Sequence, residues 1–200
     1  MTGDKPSHNG DGPNGGRNRT GSPAGEIGIP GVADGAALYR ITRDSGVLDV
    51  NSSYAYLLWC RDFAGTSAVA REGGEVVGFV TGYLRPDAPD VLMVWQVAVD
   101  ASQRGKGLAG RMLAHLVDRL VPRGMRYLET TITADNTASI KLFSALARDR
   151  GTELARSELF SGDLFPDAHE GEDLYRIGPF PAPGAAPPGS AAAAADGRAG

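Results

Sequence analysis

The chain has 200 residues, a net charge of −4 and a pI of about 5.4. The length suits one domain with a substantial hydrophobic core, and the acidic balance argues against a general nucleic-acid partner. Cys60 is the only cysteine, so an intrachain disulfide and a cysteine-based zinc cluster are both excluded. The three histidines, His8, His115 and His169, lack metal-ligand spacing, and no metal is expected.

Both ends of the chain are low in sequence complexity. Residues 1–36 are dominated by Gly, Asn, Asp, Pro and Ser, and residues 181–200 by Ala, Pro and Gly. Such segments bury too little apolar surface to offset the entropy lost on ordering, so we predict disorder at both ends. The N-terminal stretch lacks the apolar core of a signal peptide, and no apolar run is long enough to cross a membrane. We therefore expect a folded domain over residues 37–180 in a cytoplasmic protein.

In the first half of this domain the hydrophobic pattern predicts strands around two helical segments. The expected elements are a strand over Leu38–Thr42, a helical turn over Asp44–Asp49, a helix from Asn51 or Ser52 to Phe63, and strands over Ser67–Arg71, Val76–Leu84 and Val91–Asp100. The segment Glu72–Glu75 contains two glycines and is typical of a hairpin turn. The last of these strands is almost unbroken in apolar residues, so we expect it to be buried on both faces.

In the second half, helices and strands alternate before a final pair of strands. The expected elements are a helix from Leu108 that ends near Val121, a strand over Tyr127–Thr133, a helix over Thr137–Arg150, and strands over Glu153–Leu159 and Asp173–Ile177. The complete predicted order is β-α-α-β-β-β-α-β-α-β-β.

The most informative stretch is the loop Gln103–Ala109, which joins the apolar strand to the helix that begins at Leu108. A strand, a glycine-rich turn and a helix N-terminus together point unpaired backbone N–H groups at an anion. Gly105 and Gly107 allow a ligand to approach the backbone closely, while Arg104 and Lys106 add positive charge. The loop therefore predicts a phosphate-bearing ligand.

Two other phosphate-binding loops fit this stretch less well. A nucleotide-binding P-loop needs Ser or Thr after its lysine, and here Gly107 follows Lys106. Gly105, Gly107 and Gly110 match the dinucleotide pattern G-x-G-x-x-G, but that pattern belongs after the first strand of a βαβ unit, whereas this loop follows the fourth expected strand. An ordinary tight turn with a basic surface is the remaining alternative.

Two motifs resemble those of the GCN5-related N-acetyltransferases (GNAT). Arg104-x-x-Gly107-x-Ala109 is similar to their pyrophosphate-binding signature, and Asn136–Phe143 to their motif N-x-x-[AS]-x-x-L-[YF]. The predicted order of elements matches their fold along the whole core. The resemblance implies an α/β (α+β) GNAT fold with a central mixed, mostly antiparallel twisted sheet, splayed near strands 4 and 5 and flanked by helices.

The resemblance also implies that acetyl-CoA is the co-substrate and indicates where it binds. The expected contacts are Val97, Ala98, Val99, Gln103, Arg104, Gly105, Lys106, Gly107, Leu108, Ala109, Asn136, Ser139 and Lys141. An asparagine at position 136 can equally be the N-cap of the following helix, and the two roles are compatible.

Acyl transfer from a thioester to an amine needs a deprotonated amine, an oxyanion donor and a leaving thiolate. In the family a backbone amide at the end of the fourth strand is the oxyanion donor, and Val97 is the matching position. The family's usual acid is a tyrosine where this chain has Phe143; a thiolate leaves without much help, and Tyr127, Tyr54 or a water could substitute for the tyrosine. Glu129 is a candidate base, because an inward-facing carboxylate is costly unless it is used or paired; a solvated edge carboxylate is the alternative.

Three stretches narrow the resemblance to the GNAT enzymes that acetylate L-2,4-diaminobutyrate in ectoine biosynthesis. They are Asp49–Tyr56, Val94–Val99 and Gly162–Tyr175, and the resemblance covers Leu38–Phe180. The residues expected at the acceptor are Asp49, Tyr54, Trp95, Glu129, Glu170 and Glu172. The candidates for steering the reacting amine are Glu129, His169, Glu170 and Glu172. The ordinary alternatives are a helix start for Asp49, a core position for Trp95 and a solvated loop for residues 169–173.

The resemblance thus implies acetylation of the 4-amino group of L-2,4-diaminobutyrate, a role in salt or osmotic stress, and a homodimer whose interface no sequence feature specifies. Two alternatives remain open. One is a GNAT enzyme for another amine, such as a protein N-terminus, a lysine or an aminoglycoside. The other is a non-catalytic acetyl-CoA-binding protein, which only Phe143 favours. No nucleic-acid or membrane partner is expected.

Overall fold

A computed structural model of the chain describes residues 25–166 and 170–181. The elements follow one another as β-α-α-β-β-β-α-β-α-β-β, which is the predicted order. The strands are β1 (Glu26–Gly28), β2 (Ala68–Glu72), β3 (Glu75–Arg85), β4 (Ala88–Val99), β5 (Tyr127–Thr133), β6 (Leu154–Phe160) and β7 (Glu172–Ile177), and the helices are α1 (Gly35–Ser45), α2 (Ser53–Asp62), α3 (Leu108–Leu120) and α4 (Thr137–Asp149).

The seven strands form one mixed sheet in the order β1-β2-β3-β4-β5-β7-β6. All neighbours are antiparallel except β4 and β5, which run parallel. That parallel pairing joins only Val91–Met93 to Tyr127–Glu129, and beyond it the two strands separate. The predicted fold class is therefore confirmed, including the splay between the fourth and fifth strands.

Helices cover both faces of the sheet, and each face has its own hydrophobic cluster. On one face α3 and α4 pack on residues that include Leu92, Val94, Leu128 and Ile177. On the other face α1 and α2 pack on residues that include Val69, Phe79 and Ala98. The sheet is thus the middle layer of three, as is usual where helices cover both faces of a sheet.

A β-bulge in β4 reverses the faces to which its side chains point. Val94 and Gln96 pair with consecutive residues of β3, so the register skips Trp95. Val94 faces the α3–α4 cluster and Ala98 the α1–α2 cluster, although an unbroken alternation would put both on one face. Trp95 is 41% exposed, so the prediction that this strand is buried on both faces is wrong at the bulge.

The segment predicted as the first strand lies inside α1. Leu38, Ile41 and Thr42 are buried with the i, i+3, i+4 spacing of a helix face, which overrides the short β-like pattern. Gly46 ends this helix with a left-handed φ of 68°. The helical turn predicted over Asp44–Asp49 is therefore wrong beyond its first two residues.

The first strand instead lies at Glu26–Gly28, where Ile27 pairs with Ala70 of β2. This strand falls within residues 1–36, for which the composition predicts disorder, so the folded domain begins before residue 37. Residues 1–24 and 182–200 lie outside the described residues. The other strands and helices agree with their predicted bounds to within three residues.

Gly82 lies where β3 passes the bulge, and a Cβ there would come within 2.8 Å of the Met93 carbonyl oxygen. We expect Gly82→Ala to lower the free energy of unfolding by about 1–3 kcal/mol, because two paired strands must shift apart. Chemical denaturation measures the loss. Gly28→Ala is the matched control, since nothing lies within 4 Å of its added Cβ, and it should change stability by less than about 0.5 kcal/mol. Equal losses in the two variants would contradict the close strand contact.

Candidate active site

The glycine loop leaves the N-terminus of α3 open. Gly105 and Gly107 have φ values of 78° and 72°, which glycine adopts without strain. Gly107 is the N-cap of α3 and has no side chain to cap it. The first helical hydrogen bond is donated by the Arg111 amide to the Gly107 carbonyl (3.1 Å). The amides of Leu108, Ala109 and Gly110 therefore point out of the helix end, where an anion can bind them.

The polar side chains of the loop are linked to one another and to the neighbouring hairpin. Lys106 donates a hydrogen bond to the Gln103 side-chain oxygen (2.7 Å), and the Gln103 amide donates to the Glu72 carboxylate. The Leu108 side chain is buried in the core, so this residue can contact a ligand only through its backbone. Arg104 is exposed and leaves a positive charge beside the open amides.

Two clefts open where β4 and β5 separate. The loop cleft, of about 420 Å³, borders the glycine loop and is lined by residues that include Val97, Ala98, Val99, Arg104, Ala109, Asn136 and Ser139. The tryptophan cleft, of about 310 Å³, is lined by residues that include Asp49, Trp95, Gln96, Val97, Thr133, Asn136, Ser139 and Glu172. Val97, Asn136 and Ser139 line both clefts, so the two meet at the end of β4.

The backbone amide of Val97 faces the split. The Asp100 amide donates to the Val77 carbonyl of β3 (2.8 Å), so by alternation the Ala98 amide also points to β3. The amides of Val97 and Val99 consequently point to the other edge of β4, from which β5 has separated. This orientation is the one that an oxyanion donor at Val97 requires.

The second motif borders the same junction. The Asn136 side-chain oxygen accepts a hydrogen bond from the Ser139 amide (3.1 Å), which confirms the predicted N-cap of α4. Contact between these residues and a ligand remains a prediction. Phe143 is buried and lines the tryptophan cleft. Lys141 is exposed on α4 and lines neither cleft.

Three of the predicted acceptor residues come together in the tryptophan cleft: Asp49, Trp95 and Glu172. The Trp95 ring stacks on Trp59 with 4.9 Å between ring centroids, and this contact fixes it as part of the wall. An exposed wall position excludes the alternative that Trp95 is a core residue. The cleft therefore combines two carboxylates with an aromatic surface, which suits a cationic ligand.

Gln96 is a cleft residue that the sequence reasoning missed. Its side-chain amide donates to the Asp49 backbone carbonyl (3.0 Å), which holds the segment before α2 against β4. Its Oε1 is buried with no hydrogen-bond partner in the described part of the chain. A buried unpaired acceptor is costly, so it points to a donor that arrives with a ligand. The available signal was a single amide inside an apolar strand.

The remaining predicted residues lie elsewhere. Tyr54 is 64% exposed on α2 and lines neither cleft, and Glu170 is exposed and also outside both. His169 lies outside the described residues. Tyr127 packs against the Arg176 guanidinium, 3.9 Å from its ring centroid. Within the described residues, no tyrosine lines either cleft, so neither Tyr54 nor Tyr127 is placed to replace the acid missing at Phe143.

Glu129 is buried between two arginines and lines neither cleft. One carboxylate oxygen accepts from Arg85 at 2.8 Å and the other from Arg176 at 2.7 Å. Both oxygens are engaged and neither is turned towards an amine in the tryptophan cleft. The structure therefore does not support Glu129 as the general base, and it indicates that Glu129 joins β3, β5 and β7 beside the split.

Cys60 is buried in α2, and burial raises the pKa of its thiol to about 11. The thiol is therefore protonated near neutral pH and inert as a nucleophile. Among residues 25–166 and 170–181, no three His, Cys, Asp or Glu side chains are grouped to hold a metal ion. In the same ranges no helix combines the length and the apolar character that a membrane span requires.

The N-terminus of α3 is open because Gly107 has no side chain, so we predict that a side chain at position 107 obstructs phosphate binding there. We expect Gly107→Ala to weaken coenzyme A binding about tenfold or more, measured by titration calorimetry, because its methyl group occupies the approach to the amides. Gly151→Ala is the matched control, since its φ is 60° and nothing lies within 4 Å of the added Cβ. Both variants should lose about 1–2 kcal/mol of stability, since both put an alanine at a positive φ. Unchanged coenzyme A binding by the Gly107 variant would refute the assignment of this helix end as the phosphate site.

Because Glu129 is held in two ion pairs outside the clefts, we predict that replacing it destabilises the fold but leaves catalytic proton transfer unchanged. We expect Glu129→Gln to lower the free energy of unfolding by about 1–3 kcal/mol, because the amide oxygen can accept from only one arginine while the amide NH2 group, a donor, faces the other. The pH profile of kcat should keep its shape, since Glu129 does not reach the cleft. Asp118→Asn, which removes an exposed ion pair with Arg150, is the control and should change stability by less than about 1 kcal/mol. If the Glu129 variant lost the acidic limb of the kcat–pH profile, Glu129 would be identified as the general base.

Sequence and structure comparisons agree with this geometry. Residues 36–147 match the model of the acetyltransferase (GNAT) family. The chain is 61% identical over 162 residues to the L-2,4-diaminobutyric acid acetyltransferase of Streptomyces coelicolor, covering 80% of this chain and 95% of that protein. It is 55% identical over 151 residues to the enzyme of the same name from Nocardia farcinica, covering 76% of this chain and 78% of that protein.

A solved structure is similar over the same region. It is the diaminobutyrate acetyltransferase EctA from Paenibacillus lautus in complex with its substrate L-2,4-diaminobutyric acid and coenzyme A. The TM-score is 0.74 at 37% sequence identity, and the match covers 78% of this chain and 95% of that one. With its split sheet, open glycine loop and these relatives, the chain belongs to the acetyltransferase (GNAT) family, and within it to the L-2,4-diaminobutyric acid acetyltransferases.

Proposed function

We propose that the chain transfers the acetyl group of acetyl-CoA to the 4-amino group of L-2,4-diaminobutyrate, giving N-γ-acetyl-L-2,4-diaminobutyrate. The observation that carries this function is the meeting of two chemically different clefts at Val97. One cleft borders open amides and a basic loop, and the other is lined by carboxylates and an indole. The Paenibacillus lautus relative holds coenzyme A and the diamino acid in one complex.

The loop cleft suits acetyl-CoA along its whole length. The amides at the start of α3 and the nearby Arg104 suit the pyrophosphate. The free edge of β4 over Val97–Val99 supplies backbone groups for the amides of the pantetheine arm, much as an additional strand would. Asn136 and Ser139 lie across the same cleft. This arrangement would bring the thioester to the junction with the tryptophan cleft.

The tryptophan cleft suits an amino acid with two ammonium groups. Asp49 and Glu172 line it and can each pair with one of them, while Trp95 covers the short aliphatic chain. The buried Oε1 of Gln96 is a further acceptor for an ammonium hydrogen. We assign binding roles to these four residues on this basis.

The reaction joins the amine nitrogen to the acetyl carbonyl carbon and then breaks the carbon–sulfur bond. The Val97 amide donates to the oxyanion that forms between the two steps. The ammonium must first lose a proton, and Glu172 or Asp49 can receive it directly or through a water, since both line the cleft. The nitrogen sheds a second proton once it is bonded to the carbonyl carbon, and the leaving thiolate or a water can take it. A thiolate is a weak enough base to leave without a protonating side chain, so its departure is consistent with a phenylalanine at position 143.

The same proposal has consequences for where and how the enzyme acts. Its donor is a metabolite of the cytoplasm, so we place the reaction there. Its product is the acetylated diamino acid used in making ectoine, a compatible solute, which gives the enzyme a role in salt and osmotic stress. We also propose that it functions as a homodimer with one catalytic domain in each chain.

Acetyl-CoA-dependent release of coenzyme A tests this function. Purified protein with acetyl-CoA should release coenzyme A when L-2,4-diaminobutyrate is added, and NMR should place the new acetyl group on the 4-amino nitrogen. A peptide N-terminus, lysine and an aminoglycoside form the comparison panel. Turnover confined to one of these amines would reject the acceptor assignment, and tight coenzyme A binding without any turnover would indicate a non-catalytic protein.

Asp49 provides a residue-level version of the same test. We expect Asp49→Asn to raise KM for the diamino acid about tenfold while leaving coenzyme A affinity unchanged, because an ammonium loses its charged partner. Asp62→Asn on α2 is the control, since Asp62 pairs with the exposed Arg61 and borders neither cleft. An unchanged KM in the Asp49 variant would remove Asp49 from the acceptor site.

A further inference from the structure

Trp59 lies behind the wall of the tryptophan cleft and is enclosed by other aromatic rings. It belongs to α2 and packs against Phe63 of the same helix (4.8 Å between ring centroids), Tyr83 of β3 (6.3 Å) and Trp95 of β4 (4.9 Å). Phe63 and Tyr83 also contact each other, with 6.3 Å between their centroids. Trp59 is thus held by its own helix and by the sheet, and it lines neither cleft.

Trp95 lacks the neighbours that normally fix a side chain on a strand. It occupies the bulge of β4, so no residue of β3 lies opposite it, and the pairing of β4 with β5 ends at Met93. Among the described residues, Trp59 is the aromatic ring that it contacts, and the two indoles are stacked with 26° between their planes. The direction in which Trp95 points is therefore set by α2 and not by a cross-strand pair.

A second contact joins the same two parts of the molecule beside the stack. Gln96, the next residue of β4, donates from its side-chain amide to the Asp49 carbonyl (3.0 Å), and Asp49 lies in the segment that leads into α2. Two adjacent residues of β4 are therefore tied to α2 and its entry. Because Asp49 and Trp95 both line the tryptophan cleft, these two contacts fix how far apart they lie.

We propose that Trp59 is a positioning residue that sets the length of the diamino acid the tryptophan cleft accepts. The inference rests on the proposed acceptor and on the roles proposed there for Asp49 and Trp95. With one ammonium at Asp49, the other amine must reach the junction at Val97, so the chain between the two amines must match that distance. Trp59 acts by keeping the Trp95 indole in one orientation along this chain, and it touches neither substrate.

The chemistry of the acceptor explains why a rigid wall is needed. L-Ornithine differs from L-2,4-diaminobutyrate by one methylene and carries the same charges, so Asp49 and Glu172 cannot distinguish the two. One methylene changes kcat/KM by about 10- to 200-fold, and only where the pocket does not yield to the added volume. An indole that could swing aside would make room for the longer chain and lose this discrimination.

The ratio of kcat/KM for L-2,4-diaminobutyrate to that for L-ornithine tests this role. The native chain should favour L-2,4-diaminobutyrate about tenfold or more. Trp59→Leu removes the stack and should lower this ratio about fivefold or more, chiefly by raising KM for L-2,4-diaminobutyrate, with coenzyme A affinity unchanged. Trp59→Phe keeps a ring against Trp95, so its ratio should stay within about threefold of the native value.

Leu57→Ala on the same helix is the matched control. Leu57 packs on Gly35 of α1, where its Cδ2 lies 2.8 Å from the position of an added Cβ, and it lines neither cleft. This variant loosens α2 without removing a ring from the stack, so it should lower stability and keep the native acceptor ratio. An equal fall of the ratio in Leu57→Ala, or a Trp59→Leu variant that slows both amino acids by the same factor, would overturn the proposal.

The motion of the Trp95 indole N–H gives a readout that does not depend on catalysis. Each replacement of Trp59 leaves Trp95 as the only tryptophan, so its indole signal is unambiguous in NMR relaxation experiments. The order parameter should stay near about 0.85 in Trp59→Phe and fall below about 0.6 in Trp59→Leu. Equal order parameters in the two variants would show that Trp59 does not hold the ring and would overturn the proposal.

These measurements also separate the inference from the proposed function. A native chain that acetylates L-2,4-diaminobutyrate, with an acceptor ratio that Trp59→Leu leaves unchanged, would overturn the positioning role and leave the function intact. A native chain that acetylates neither diamino acid would reject the proposed function, and with it the selection of chain length.

Discussion

The early end of the pairing between β4 and β5 is the constraint on which the rest of this structure depends. The two strands share only three register pairs, and the bulge at Trp95 follows directly on β4. Because a bulge increases local twist, it turns the remainder of β4 away from its parallel neighbour. Had the pairing continued, β5 would have taken the hydrogen bond of the Val97 amide and closed the junction of the clefts. The catalytic opening is therefore a place where the sheet is left incomplete.

The two sides of that opening differ in the kind of group that we propose for ligand recognition. On the loop side the proposed groups are backbone amides, which Gly107 leaves uncapped at the start of α3. On the other side they are side chains from distant parts of the chain, with Asp49 before α2, Trp95 on β4 and Glu172 on β7. A backbone site is fixed by local turn geometry, whereas the side-chain site depends on the packing of three separate elements. The acceptor side is accordingly the one that substitutions can alter without disturbing the fold.

The same difference explains how much the sequence could predict. The glycine loop and helix α3 over residues 103–120 are contiguous and the helix is strongly periodic, so their structure follows from local pattern. The preceding strand is an almost unbroken apolar run, and nothing in that run marks the bulge at Trp95. The five residues Leu38–Thr42 are too few to separate a helical from a strand period, and a strand as short as Glu26–Gly28 leaves no pattern. The partners of Glu129 lie 44 and 47 residues away in sequence. Local reasoning could identify a buried carboxylate there, but only the sheet order reveals that two arginines neutralise it.

The stack of Trp59 on Trp95 has an optical consequence. These are the only two tryptophans in the chain, and their ring centroids are 4.9 Å apart with Trp95 on the wall of the tryptophan cleft. All indole emission from this protein therefore originates beside the tryptophan cleft, and the two chromophores are close enough to couple electronically. A molecule that enters the cleft changes the polarity around one indole and the geometry of the pair. The enzyme consequently contains its own spectroscopic reporter of ligands that enter the tryptophan cleft, and this reporter requires no added label.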